Sequence, residues 1–107
     1  MTPKELSEKA RERVSRGAVL LDVRTPEEFA QGHPEPARNI PLQELPRRLS
    51  ELGPPSTPLV VYCQAGGRSA RAVQALTAAG YDATNVAGGT GAWIAAGRPV
   101  VEGPDPG

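Results

Sequence analysis

The chain has 107 residues, enough for one domain with a single modest core, and only four are aromatic, so that core must come from Ala, Val, Leu and Ile. Twelve basic residues balance twelve acidic ones, and a pI near 6.6 leaves no electrostatic footprint for nucleic acid or an anionic membrane surface. A single cysteine excludes an internal disulfide framework and a multi-cysteine zinc site. No apolar run reaches membrane-spanning length and the N-terminus is charged rather than signal-like, so a cytoplasmic monomer is expected.

Thr2-Pro3-Lys4-Glu5 reads as a capping box opening a first helix, with Leu6, Ala10 and Val14 at helical spacing and Gly17 as its stop. The continuous apolar run Ala18 to Val23 suits a parallel strand buried on both faces, and Asp22 and Arg24 mark its carboxyl end. Thr25-Pro26-Glu27-Glu28 is a second capping box, leading a short helix through Phe29 and Ala30. Gly32-His33-Pro34-Glu35-Pro36 is expected to be a loop, since prolines so close cannot sit in a helix or a central strand. Ala37 to Ile40 reads as a short strand. Leu42, Leu45, Leu49 and Leu52 form an apolar stripe divided by Pro46, which predicts a turn and then a helix from Pro46 to Leu52.

Leu59 to Tyr62 is a second apolar strand, and it ends abruptly at Cys63. Gln64, Ala65, Gly66, Gly67, Arg68 and Ser69 follow, and then a helical pattern with Ala72, Val73, Leu76 and Ala79 on its inner face, stopped by Gly80. Thr84 to Ala87 reads as a further strand. Gly88-Gly89-Thr90-Gly91 is a second glycine-rich turn before a short helix with Trp93 and Ile94, and residues 102–107 are expected to be a disordered tail after a domain spanning 1–101. Strands alternating with helices predict an α/β, three-layer fold: a mostly parallel sheet of four or five strands, helices on both faces.

In such sheets ligands bind outside the carboxyl ends of the strands. A glycine-rich loop opening a helix aims backbone N–H groups at that place, which favours a thiolate over a thiol. A lone cysteine is most often an inert buried thiol, but this position argues that Cys63 is a nucleophile. Gly66 and Gly67 give the loop positive-φ freedom and close amide approach. Arg68 is placed to brace the loop or meet an anionic substrate. Asp22 is read as a supporting group that accepts from the loop or pairs with an arginine, and Arg24 as its neighbour at the same edge. His33, bounded by proline, is read as structural.

The segments Leu21-Asp22-Val23-Arg24-Thr25-Pro26-Glu27-Glu28-Phe29, Gly32-His33, Asn39-Ile40-Pro41-Leu42, Cys63-Gln64-Ala65-Gly66-Gly67-Arg68-Ser69 and Gly88-Gly89-Thr90-Gly91-Ala92-Trp93, in this order, resemble the single-domain rhodaneses. The resemblance implies a rhodanese fold, thiosulfate-type sulfurtransferase activity and a catalytic cysteine at Cys63, with Arg68 and the loop around it as the site. It implies a small sulfur-containing anion as donor, a thiol or partner protein among the acceptors, and no metal or organic cofactor. Two departures stand out. Pro34, Glu35 and Pro36 replace the family's apolar residue, proline and glycine after Gly-His, and too few residues precede Thr2 to supply a frequent extra edge strand. A phosphatase of related fold is disfavoured, because its loop holds five residues between cysteine and arginine where this chain has four.

Overall fold

A computed structural model describes residues 8, 11–34, 37–64, 66–86, 90 and 100–103. The first capping box and any strand before it, the residues Glu35, Pro36, Ala65 and Ala87, the short helix with Trp93 and Ile94, and residues 104–107 lie outside the described residues.

After a helical turn over residues 11–15, the chain runs β1 (Val19–Asp22), α1 (Pro26–Gln31), β2 (His33–Pro34), β3 (Arg38–Asn39), two 3-10 helices (Leu42–Arg47 and Leu49–Leu52), β4 (Leu59–Tyr62), α2 (Gly67–Ala78), β5 (Ala83–Asn85) and β6 (Val100–Val101). The main sheet has four parallel strands in the order β3-β1-β4-β5. The chain leaves β1 for β3 on one side and returns to β4 on the other, so the topological switch point lies between the carboxyl ends of β1 and β4. That is where an open α/β sheet leaves a crevice.

The two-residue period of a strand divides the core. Leu21, Val23, Leu59, Val61 and Cys63 share one face with Leu45, Leu52, Ala72 and Leu76. Leu20, Val60 and Tyr62 share the other with Ala18, Phe29 and Val86. Leu21, Leu59, Val61 and Leu76 are fully buried, each contributing about 1.5–3 kcal/mol from the apolar surface removed from water. The face of Cys63 is therefore the face of α2, and Asp22, in register with Tyr62, belongs to the opposite one.

Two expectations change. The helix expected from Pro46 to Leu52 is instead two 3-10 segments, with Pro46 inside the first and a break at Arg48. Leu42 and Leu45, and again Leu49 and Leu52, are three residues apart, the spacing that a 3-10 helix stacks on one side. An α-helix over Leu42–Arg47 would set the Pro46 ring against the Leu42 carbonyl one turn back. The expected loop at Gly32–Pro36 contains a two-residue ladder, in which His33 and Pro34 pair antiparallel with Val101 and Val100. Proline is tolerated there because the ladder is a short edge outside the main sheet. Within the stretch 102–107, expected to be a disordered tail, the Gly103 amide donates to the Ala30 carbonyl at 2.8 Å, and residues 104–107 lie outside the described residues.

Candidate active site

All four residues of β4 are buried, and the strand delivers Cys63 to the switch point at 2% exposure. Gly66 then turns the chain into α2. It is the N-cap residue, with φ 107° and ψ −13°, a left-handed conformation that costs side-chain-bearing residues about 1–2 kcal/mol. Its amide donates to the Cys63 Sγ at 3.0 Å. The first turn of a twelve-residue helix thus adds the positive end of its dipole to an amide aimed at the sulfur. Gly67, read as a second flexible glycine, is already helical, and a Cβ there would meet nothing within 4 Å. The loop requires one glycine conformation, and it is Gly66 that supplies it.

Ser69 is fully buried, with its hydroxyl 2.6 Å from Asn85 Oδ1, 3.1 Å from the Gly66 carbonyl and 3.5 Å from the Cys63 Sγ. A hydroxyl has one proton to donate, and the short contact to Asn85 takes it. The Asn85 Nδ2 in turn donates to the Gly66 carbonyl at 3.4 Å, so Asn85 at the end of β5 bridges the loop and its helix. The amide of Thr90 donates to the Cys63 carbonyl at 2.9 Å. Asn85 and Thr90 were not singled out from sequence as site residues. The strand expected at Thr84 to Ala87 is observed at Ala83–Asn85, which puts Asn85 at its carboxyl end; the sequence carried no signal for that place.

Both arginines of the site are held by carboxylates. Arg68 donates to the two oxygens of Glu28 at 2.6 and 2.9 Å. Glu28 is also the third helical residue of α1, where it accepts from the Thr25 amide in the capping box. The hydrogen bonds from Arg68 hold the Glu28 carboxyl down at about 2. In the sequence Glu28 reads only as a cap; its second role as partner of the loop arginine carries no local signal.

Arg24 grips Asp22 with Nε and Nη2 at 2.7–3.1 Å. This pair is buried, at 4% and 0% side-chain exposure. Burial works against the Arg24 charge, but hydrogen bonds and charge from Asp22 more than offset it. Arg24 also donates to the Gly32 carbonyl at 2.9 Å and reaches Gln64 Oε1 at 3.3 Å, and its guanidinium lies 5.8 Å from the Tyr62 ring centre. Asp22 therefore acts on the loop through Arg24 and Gln64, while facing away from the sulfur.

His33 is fully buried, stacked on Phe29 with ring centres 3.5 Å apart. Its Nδ1 is 2.7 Å from the Phe29 carbonyl. A carbonyl only accepts, so Nδ1 carries the proton, and Nε2 has no hydrogen-bond partner among the described residues. The Tyr62 hydroxyl is likewise without one, and burial pushes its pKa well above the usual value. Among the described residues no group of His, Cys, Asp and Glu could hold a metal ion, and no helix is long and apolar enough to cross a membrane.

Fold and site together define an α/β domain that presents one cysteine sulfur, at the sheet's switch point, to the N-terminus of a helix. A model of the rhodanese-like domain matches residues 2–96, and the chain belongs to that family. It is 40% identical to a sulfurtransferase of Allochromatium vinosum over 84 residues, 78% of each chain. It is 41% identical to the thiosulfate sulfurtransferase PspE of Escherichia coli over 70 residues, 64% of this chain and 67% of that one. Among solved structures, a rhodanese-related protein from Thermoplasma volcanium superposes with a TM-score of 0.79 at 34% identity, covering 94% of this chain and 95% of that one. The expected three-layer rhodanese fold is the fold observed.

Proposed function

We infer that this protein is a sulfurtransferase working through a persulfide on Cys63. Membership of the rhodanese-like family and relatives named sulfurtransferases support a sulfur-transfer role. The observation that carries the mechanism is the Gly66 amide 3.0 Å from the Cys63 Sγ at the head of α2. In the first step the Cys63 thiolate attacks the outer sulfur of thiosulfate or a related sulfane donor; the S–S bond of the donor breaks and sulfite leaves with its electron pair. The charge on the resulting persulfide sits where loop amides and the helix dipole favour an anion. In the second step a nucleophile (cyanide, a thiol or a partner protein) takes the outer sulfur and returns Cys63 as thiolate. This is covalent catalysis, and its groups are supplied by the chain itself.

Intact mass spectrometry after treatment with thiosulfate tests the reading. One added sulfur atom on Cys63, removed by a thiol reductant, is the expected result. Protein unchanged in mass after exposure to sulfane donors overturns it.

A further inference from the structure

Ser69 has one proton, and three acceptors lie within its reach: Asn85 Oδ1 at 2.6 Å, the Gly66 carbonyl at 3.1 Å and the Cys63 Sγ at 3.5 Å. The geometry decides among them. The Asn85 side-chain atom that faces the Gly66 carbonyl, at 3.4 Å, is Nδ2, because a carbonyl only accepts. Oδ1 is then the atom that faces Ser69, and it too can only accept, so the hydroxyl donates to Asn85. The Gly66 carbonyl is already engaged by the Ala70 amide at 3.0 Å.

The sheet holds Asn85 in this place. It is in register with Val61 on β4, two residues before Cys63, so its side chain leaves on the face of the sulfur and meets the head of α2. A hydroxyl whose proton is drawn toward Asn85 turns an oxygen lone pair, not a hydrogen, to the sulfur. A lone pair is compatible with a thiol and repels a thiolate, whereas a hydrogen there would favour the thiolate. The Gly66 amide at 3.0 Å stays on the sulfur whichever way the hydroxyl turns.

Resting on the reading of Cys63 as the nucleophile, we propose that Asn85 is a positioning residue that restrains ionisation of the thiol: by holding the Ser69 proton it withholds a further donor from the Cys63 sulfur. The restraint has a chemical use. A thiolate loses nucleophilicity as it becomes less basic, so the best attacking sulfur ionises near the working pH rather than far below it. Asn85 offsets part of the pull on that charge from the Gly66 amide, the dipole of α2 and the Arg68 guanidinium.

Cys63 is the sole cysteine, so its alkylation by iodoacetamide, followed by intact mass from about pH 5 to 9, reads its ionisation directly. The charged groups around the loop are Arg68 with Glu28 of α1 and Arg24 with Asp22 of β1. They are common to every variant and cancel in the comparison. In Asn85→Leu, which has no acceptor, the profile should move down by about one pH unit, and the plateau rate should fall by about threefold as the thiolate becomes less basic. Asn85→Asp keeps the acceptor and adds a negative charge, so its profile should move up. In the Ser69→Ala background, Asn85→Leu should move nothing further. A profile unmoved or raised in Asn85→Leu, unmoved or lowered in Asn85→Asp, or moved by Asn85→Leu as much without Ser69 as with it, overturns the assignment. Failure of sulfane donors to load the parent protein, with the alkylation profiles as expected, overturns the sulfurtransferase reading alone.

Discussion

Arg68, at the head of α2, closes both of its terminal nitrogens on the two carboxylate oxygens of Glu28, forty residues earlier in the chain. One carboxylate therefore caps α1 through Thr25 and fixes the helix that carries the sulfur-binding loop.

The pH dependence of that contact follows from the Glu28 pKa, lowered from 4.5 to about 2. A depressed carboxyl stabilises the fold fully above its unfolded pKa and loses that contribution as pH falls through the folded one. Both side chains are about one third exposed, so solvent screening limits the contribution to about 1 kcal/mol. Glu28→Gln should lower the unfolding midpoint at neutral pH, with the gap to the parent protein closing between pH 4.5 and 2. Thermal melts of both proteins across that range provide the check; a gap independent of pH contradicts it.

Cys63→Ser should abolish thiosulfate-to-cyanide transfer while leaving the far-ultraviolet circular dichroism spectrum unchanged. Serine is nearly isosteric with cysteine, but its hydroxyl is not ionised at neutral pH, so the nucleophile is lost without a cavity. Turnover comparable to that of the parent would remove Cys63 from the mechanism.

The two loop glycines should respond differently. Gly66→Ala places a Cβ on a residue at φ 107°. The expected cost is about 1–2 kcal/mol, with loss of transfer rate as the amide swings off the sulfur. Gly67→Ala meets open space at a helical position and should be neutral or stabilising by about 0.5 kcal/mol. Denaturant midpoints and transfer kinetics of the two variants, side by side, measure this contrast.

Asp22 and Arg24 form a buried pair, and removing one member strands the other. Asp22→Asn alone should cost about 3–5 kcal/mol. The combined Asp22→Leu, Arg24→Met protein should cost much less than the sum of its single changes, because no uncompensated charge remains. A double-mutant cycle in denaturant gives the coupling; additive costs would mean that the pair does not act as a unit.

The parallel sheet and the loop were legible in the sequence because both depend on local pattern. The apolar runs through Leu21 and Val61 have strand length, and Cys63 falls directly between a strand and a helix start. The Thr25–Glu28 capping box was equally readable, its four residues being contiguous. What escaped was long-range. The Arg68–Glu28 contact joins residues forty positions apart, and the ladder of His33 with Val101 joins segments whose prolines and short length hide any alternation. The 3-10 segments escaped for another reason. A leucine spacing of three within a stripe that also fits period 3.6 does not separate the two helices, and the chain resolved the choice around Pro46.

The depth of the Cys63 sulfur, at 2% exposure under the Gly66 amide, bears on what an acceptor can do. Under the proposed chemistry the loaded enzyme carries two electrophilic sulfur atoms. An acceptor thiolate striking the inner one would expel hydrosulfide and leave a mixed disulfide, capping the enzyme with its own acceptor. One striking the outer atom carries that atom away and frees Cys63 for another cycle. On that proposal, burial of Cys63 would shield the inner atom and leave the outer one as the point of approach, so that steric access would set the regioselectivity and the domain would reset without an auxiliary reductant.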